Sequence, residues 1–398
     1  MSRTIATGRR ALIAIALALL AAGALYLLAR PEPPLIPKAS LSIAETLRAP
    51  SDEGYARAIG PREFRFPADH GPHPEFRTEW WYYTGNLETT EGRRFGFQLT
   101  FFRSALAPKM PARESAWATR QAWLAHFTIS DLDGRQFHSF ERWSRGAIGL
   151  AGAHAEPFRV WVKDWAAEGV GGQAPPMRLT ASEGDTGIDL VLMQGKPPVL
   201  QGDRGLSQKS PEPGNASYYY SLTRMPAAGT VSLGGERFAV NGLAWMDREW
   251  STSSLDLGEV GWDWFALQLS DGSDLMLYRL RRQDGAADPA SSGTAVSPEG
   301  TARHLALADF QIAGSGAWRS PRSGARYPDR WRVRIPSEDL DLEIRPALAD
   351  QELDVAFRYW EGAVEIAGSR RGRPIRGRGY VELTGYAAAA PASAAGHR

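Results

Sequence analysis

The sequence predicts an all-β protein of short antiparallel strands, arranged as barrels or sandwiches. Three observations carry this. From Phe64 onward, segments of alternating apolar and polar residues recur at a spacing of about ten residues, separated by glycine, proline and aspartate turns. Glycine (41), tryptophan (14), tyrosine (12) and phenylalanine (15) are abundant, which suits turns and aromatic sheets better than helix bundles. Beyond Arg30 no segment reads as a long helix, Arg113–Thr119 being only a short local candidate.

The N-terminus stands apart. Arg3, Arg9 and Arg10 precede a charge-free run, Ala11–Ala29, closed by Arg30. As a helix this run spans about 28 Å, close to a hydrocarbon core of roughly 30 Å. The leading arginines favour keeping the N-terminus inside and exporting the rest of the chain. Ala22-Gly23-Ala24 offers a cleavage site, yet Leu25 to Leu28 continue the apolar run. Residues 1–30 therefore read as a signal peptide or an uncleaved anchor, and the protein as periplasmic, anchored or secreted. Residues 31–60, with Pro31, Pro33, Pro34, Pro37 and Pro50, read as a linker in which Ser42–Arg48 forms a short helix.

Two domains are expected from 398 residues, drawn at 61–238 and 239–388 and followed by an Ala-rich, frayed tail at 389–398. In the first, strands are expected at Thr78–Leu87, then through Phe95, Phe97, Leu99 and Phe101, then at Trp123–Leu132, Phe137–Trp143, Phe158–Trp165, Met177–Glu183, Ile188–Met193 and Tyr218–Met225. In the second, Trp262–Leu269 and the run through Leu275, Leu277 and Arg279 repeat the aromatic strand, glycine turn and apolar strand of Trp80–Arg103, the mark of a diverged duplication. Further strands are expected at His304–Ile312, Trp331–Ile335, Leu340–Pro346, Tyr359–Ala367 and Gly377–Leu383. Gly285–Gly300 and the glycine-rich Arg371–Gly379 read as loops.

Net charge is +1, so no field favours nucleic acid. Cysteine is absent, which removes disulfides, thiolate nucleophiles and Cys-ligated metals. There is no G-x-S-x-G elbow, H-E-x-x-H or P-loop, and no cofactor is implied. His70 and His73, in a turn that Pro72 and Pro74 make rigid, read as loop-holding residues rather than metal ligands. His126, mid-strand, reads as a core or lumen histidine.

The chemistry concentrates in Asn241–Trp264, NGLAWMDREWSTSSLDLGEVGWDW. As a strand, Leu243, Trp245, Asp247 and Glu249 share one face, and Ala244, Met246, Arg248 and Trp250 the other. An acid among aromatics is either paired or kept for chemistry, since an unpaired buried carboxylate is costly. Arg248 lies on the wrong face to be the partner of Asp247. Glu79, Trp81 and Tyr83 share a face of the Thr78–Leu87 strand and either line a cavity or pack as core. Tyr218-Tyr219-Tyr220 places phenols on both faces.

The stretches TEWWYYTGNL with FGFQLTFFR, YYYSLTRM, GLAWMDREWS, WDWFALQLSDGSDLMLYRLR, and YWEGAVEI with GRGYVELTGY resemble the carotenoid 1,2-hydratase/AttH-like lipocalin family, also labelled predicted secreted hydrolases. The resemblance runs from Phe64 to Tyr386. It implies two tandem lipocalin-like β-barrel domains and an apolar ligand. In hydratase members an Asp in the segment resembling Trp245–Trp250 is taken as the proton donor, which points to Asp247; Trp245 and Tyr219 are the nearest matches to the aromatic residues implicated beside it. The MDREW wording is more similar to the AttH branch than to the carotenoid branch. Families of this kind also work beside ABC transporters.

The chemistry is intelligible from the residues. Hydrating an isolated C=C needs a strong acid, aromatic faces for the tertiary cation, and water. A carboxyl whose pKa is raised by an apolar wall can supply the proton. The expected donor is Asp247, with Glu249 holding the water or sharing the proton, and with Glu79, Trp81, Tyr83, Tyr219, Trp245, Trp262 and Trp264 around the ligand. Two functions stay open: an enzyme hydrating or hydrolysing a lipid or terpenoid, and a non-catalytic periplasmic carrier of such a molecule or accessory of an ABC export system. The expected partners are that apolar molecule and the membrane through residues 11–29.

Overall fold

Strand alternation decides this architecture, because the central strands bury both faces. In Thr78–Glu88, nine of eleven positions are buried. Trp81, Tyr83 and Leu87 point into one apolar core with Phe95, Phe97, Leu99 and Phe101. Tyr82, on the other face, belongs to a second cluster with Tyr219, Trp245, Trp264, Tyr278 and Tyr380. A third cluster holds Phe265, Leu267, Leu275, Leu277, Trp331 and Val381. Apart from a smaller cluster of Ala58, Phe76, Ala216, Tyr218, Tyr220 and Trp250, the apolar residues thus form three layers: a core inside each of two sheets, and one between them.

The computed structural model describes residues 53–109, 114–252 and 258–386, all within one unit of the chain. The expected signal or anchor, its membrane segment 11–29, the proline-rich stretch to Pro50 and the tail 389–398 lie outside the described residues. Among the described residues no helix is long and apolar enough to cross a membrane. Arg113 is also outside them, and 114–119 carries only a turn.

Among the described residues, thirteen strands form the first sheet and ten the second. Both are antiparallel and barrel-like, and they share one strand order. In the first, Gln136–Arg145, Gln121–Asp131, Arg94–Ala105 and Thr78–Glu88 run side by side, followed by Glu236–Ser251, Ala216–Leu233 and Thr186–Leu192. In the second, Ala302–Ala306, Ser292–Val296, Asp274–Arg282 and Glu259–Leu269 are followed by Arg373–Leu383, Tyr359–Arg370 and Leu340–Pro346. This common order is the structural form of the internal repeat. The sheets change over between Ser251 and Glu259 rather than at 238/239, because Glu236–Ser251 pairs on both sides within the first sheet. Buried polar ties hold the two together. Asp274 accepts from Lys196 Nζ at 2.7 Å and from Thr223 Oγ1 and Arg224 Nε at 2.9 Å each.

Several expected elements differ. His304–Ile312 is two strands, Ala302–Ala306 and Gln311–Ser315, joined by a 3-10 turn, which pair at opposite edges of the second sheet. Phe158–Trp165 is likewise broken at a turn where Lys163 adopts φ 58°. Gly285–Gly300 contains the buried strand Ser292–Val296, whose small residues gave no alternation to read. Arg371–Gly379 is mostly the strand Arg373–Leu383. Its Gly379 packs so tightly that a Cβ there would lie 2.3 Å from the Ala266 carbonyl, so glycine marks a close approach here and not a loop.

Glu79 is the largest correction. With Trp81 and Tyr83 it faces the first core. Its carboxylate is clasped by the Arg103 and Arg248 guanidiniums. Burial works against that charge, but the two arginines outweigh it and hold the carboxyl far below its usual range. The Arg248 guanidinium also lies 3.8 Å from the Trp81 ring centroid and donates to the Gly71 carbonyl at 2.6 Å. This network pins the Pro/His/Gly loop. His73 stacks on Trp250 at 3.7 Å, and His70 Nδ1 meets the Tyr220 hydroxyl at 2.6 Å. Glu79→Gln leaves two buried guanidiniums without a counter-charge. It should lower unfolding free energy by about 3–5 kcal/mol in urea denaturation at neutral pH; a loss under about 1 kcal/mol would show the network to be dispensable.

Candidate functional site

The face opposite Glu79 builds the site. Tyr82 lies directly across from Asp247, and Trp80 from Glu249, so all four project from the first sheet towards the second. Ala216–Leu233, on the other side of the acid strand, places Ser221 opposite Asp247 and Tyr219 opposite Glu249. The second sheet answers in matching register. Trp264 lies across from Glu382, and Glu382 across from Glu361. Between these walls is a cavity of about 390 Å³. Trp80, Tyr82, Phe102, Tyr219, Asp247 and Glu249 line one side, and Trp262, Trp264, Tyr278, Tyr359, Glu361 and Glu382 the other. Leu106 and Trp143, 63% and 46% exposed, also line it and form its mouth.

Asp247 is 4% exposed and its hydrogen-bond partners are all neutral. The Trp245 indole N–H donates to its Oδ1 at 2.7 Å and the Ser221 hydroxyl to the same oxygen at 2.5 Å. The Tyr219 hydroxyl donates to Oδ2 at 2.5 Å and itself accepts from the Trp264 N–H at 3.1 Å. Burial pushes the carboxyl up to about 7; the three donors pull against it, and the nearby Glu249 charge adds to the rise.

Glu249 differs although it is only two residues away. Its Oε1 lies 3.1 Å from Lys209 Nζ and accepts from the Ser217 hydroxyl. Burial weighs against the Lys209 ammonium, yet Glu249, with Tyr278 and Glu259, outweighs it and holds its pKa above the ordinary lysine value. Glu249 is therefore one half of a buried ion pair.

The structure brings together Asp247, Glu249, Tyr219, Trp262 and Trp264 from the expected set, with Trp245 behind Asp247 as a hydrogen-bond donor outside the lining. It removes Glu79, Trp81 and Tyr83, which face the first core; their neighbours Trp80 and Tyr82 take their place. The pairing of Tyr82 with Asp247 sets this parity, and that register belongs to strands far apart in sequence. Glu361 and Glu382 were missed, although Glu361 directly follows a tryptophan on its strand, the kind of signal that singled out Asp247. Lys209 comes from a loop and carried no signal. His126 reaches the cavity, with Nδ1 2.7 Å from the Tyr359 hydroxyl and Nε2 3.3 Å from Glu141 Oε2. Among the described residues no group of three or more His, Cys, Asp or Glu side chains is arranged to hold a metal.

Comparison with curated protein sequences finds no match. Among solved structures, the chain superposes with a TM-score of 0.74 on an AttH-type protein from Nitrosomonas europaea, at 34% identity over 83% of this chain and 99% of that one. Kievitone hydratase from Nectria haematococca shares the fold, with a TM-score of 0.65 at 14% identity over 83% of this chain and 95% of that one. The AttH-like family matches residues 57–386, which take in both sheets and the cavity between them, and the chain belongs to that family.

Proposed function

We propose that this protein is a hydratase-like enzyme that adds water across a C=C bond of an apolar lipid or terpenoid, with Asp247 as proton donor. The observation that carries this is a buried carboxyl, hydrogen-bonded only to neutral donors and pushed by burial up to about 7, on the wall of an aromatic cavity. At about 390 Å³ the cavity suits a compact ligand. The fold shared with kievitone hydratase supports the same reaction class.

The geometry divides the labour. Oδ1 accepts from both Trp245 and Ser221 and Oδ2 from Tyr219 alone, so Oδ2 is the oxygen with a lone pair left for the proton. That proton forms a new C–H bond with the alkene π electrons. The adjacent carbon becomes a tertiary cation held against tryptophan and tyrosine faces. A water lone pair closes the C–O bond, and the oxonium returns a proton to Asp247, so the sum is alkene plus water to alcohol. Glu249, paired with Lys209 on the same wall, is suited to orient the water.

A non-catalytic carrier, alone or beside an ABC exporter, is the second reading. The exposed Leu106 and Trp143 at the mouth favour it, because they suit exchange with another apolar surface. Export through residues 11–29 is part of both readings, and fractionation of host cells tests it.

Asp247→Asn should lower turnover of a converted lipophilic substrate by about 100- to 10,000-fold while leaving its affinity within a few-fold. If no lipophilic extract is converted, yet ligand co-purifies with wild type and variant alike, the carrier reading replaces the enzyme. Wild-type activity should decline as pH rises through about 7, where Asp247 loses its proton. Stability gives a separate check. The folded carboxyl binds its proton more tightly than the unfolded one, so wild type loses stability relative to Asp247→Asn between about pH 4 and 7, by about 4 kcal/mol, with no further change above. Denaturation midpoints across that window measure it; parallel curves would place Asp247 in contact with water.

A further inference from the structure

The second acidic pair is unused by this mechanism. Glu361 and Glu382 lie directly opposite each other on neighbouring strands, on the wall that faces Asp247. Glu361 is 0% exposed. Its Oε1 accepts from the Tyr82 hydroxyl, and its Oε2 is buried with no hydrogen-bond partner. Among the described residues, the cavity lining carries four carboxyls, Asp247, Glu249, Glu361 and Glu382, and a single ammonium, Lys209, which Glu249 already holds. No arginine among the described residues lines it.

We infer that this wall is a seat for an organic cation: the ligand's apolar body fills the aromatic space, and its protonated or quaternary nitrogen sits against the Glu361 and Glu382 carboxyls. The inference rests on the cavity being the ligand site and adds the substrate class, an alkene that bears a basic nitrogen.

Two opposed carboxylates in a dry wall cannot both ionise unless a positive charge joins them. The groups facing the pair supply none. Tyr82 and Tyr359 are phenols, and Asp247 and Glu249 are acids. The Lys209 charge is spent on Glu249, and burial holds the His126 imidazole below its ordinary pKa. Both glutamates are accordingly driven upward, first by burial; Glu382 acts on Glu361, and the charges of Asp247 and Glu249 act on Glu382. A ligand ammonium reverses this. It makes the ionised pair favourable, the displaced proton leaves to solvent, and the buried Oε2 gains a counter-charge. The rings of Tyr82, Trp262 and Tyr359 supply the faces that favour a cation over a neutral group.

The test compares octyltrimethylammonium, whose charge is permanent, with n-octanol, by titration calorimetry on wild type, Glu361→Gln and Glu382→Gln. Wild type should bind the ammonium about tenfold or more tightly than the alcohol. That affinity should rise with pH across neutrality, and buffers of different ionisation enthalpy should report proton release. Each Gln variant should lose about tenfold for the ammonium, lose the pH dependence, and keep its affinity for the alcohol. Should either variant fail to fold, proton release by Asp247→Asn decides, because that variant removes the other protonated carboxyl of the cavity. Equal affinity for both probes, or ammonium binding without proton release, overturns the inference and leaves the ligand site standing. Failure of both probes to bind removes the ligand site as well.

Discussion

The structure depends on one constraint: the strand Thr78–Glu88 and the Ala244–Ser251 half of Glu236–Ser251 are buried on both faces. A sheet wet on one side can put its acids in water. Here one face fills the first core and the other meets the second sheet, so every acid in the buried stretches of these strands must find a cation or keep its proton.

The carboxyls resolve that demand in different ways, and the differences set their roles. Glu79 is held between two guanidiniums and stays ionised, which makes it a tie between the sheet and the loop beneath. Glu249 is held by one ammonium. Asp247 has neutral donors, from Trp245, Ser221 and Tyr219, and keeps an exchangeable proton. Glu361 and Glu382 have each other. Carboxyls on equivalent strands thus range from a permanent anion to a neutral acid, decided by the presence or absence of a cation within reach.

Duplication places the site. Because both sheets share a strand order, the acid strand of each comes to lie beside the first strand of its hairpin, and the two faces meet as walls. Tyr82 opposite Asp247 in one sheet corresponds to Trp264 opposite Glu382 in the other. The cavity is therefore lined by both repeats and lies between the sheets, outside the cores that each encloses.

Much of the fold was legible because it is written in local periodicity. Alternation at Phe95–Phe101 and Leu340–Pro346 marks strands that the structure retains, and the aromatic and glycine spacing around Trp80 and Trp262 marked the repeat. Asp247 was legible as an acid among tryptophans, and Arg248 as facing away from it. What failed was non-local. Glu79, Trp81 and Tyr83 were assigned to the ligand because parity within a strand says which residues share a face, but not which partner that face meets. Ser292–Val296 was missed because its small residues carry no alternation. By itself the sequence determined the strand content, the repeat, the family resemblance and the presence of an acid in an apolar strand, since each depends on neighbours within a few residues. Only the tertiary structure decided that Glu249 takes Lys209, that Asp247 takes neutral donors, and that Glu361 and Glu382 face them, because register and sheet packing join residues that are far apart along the chain.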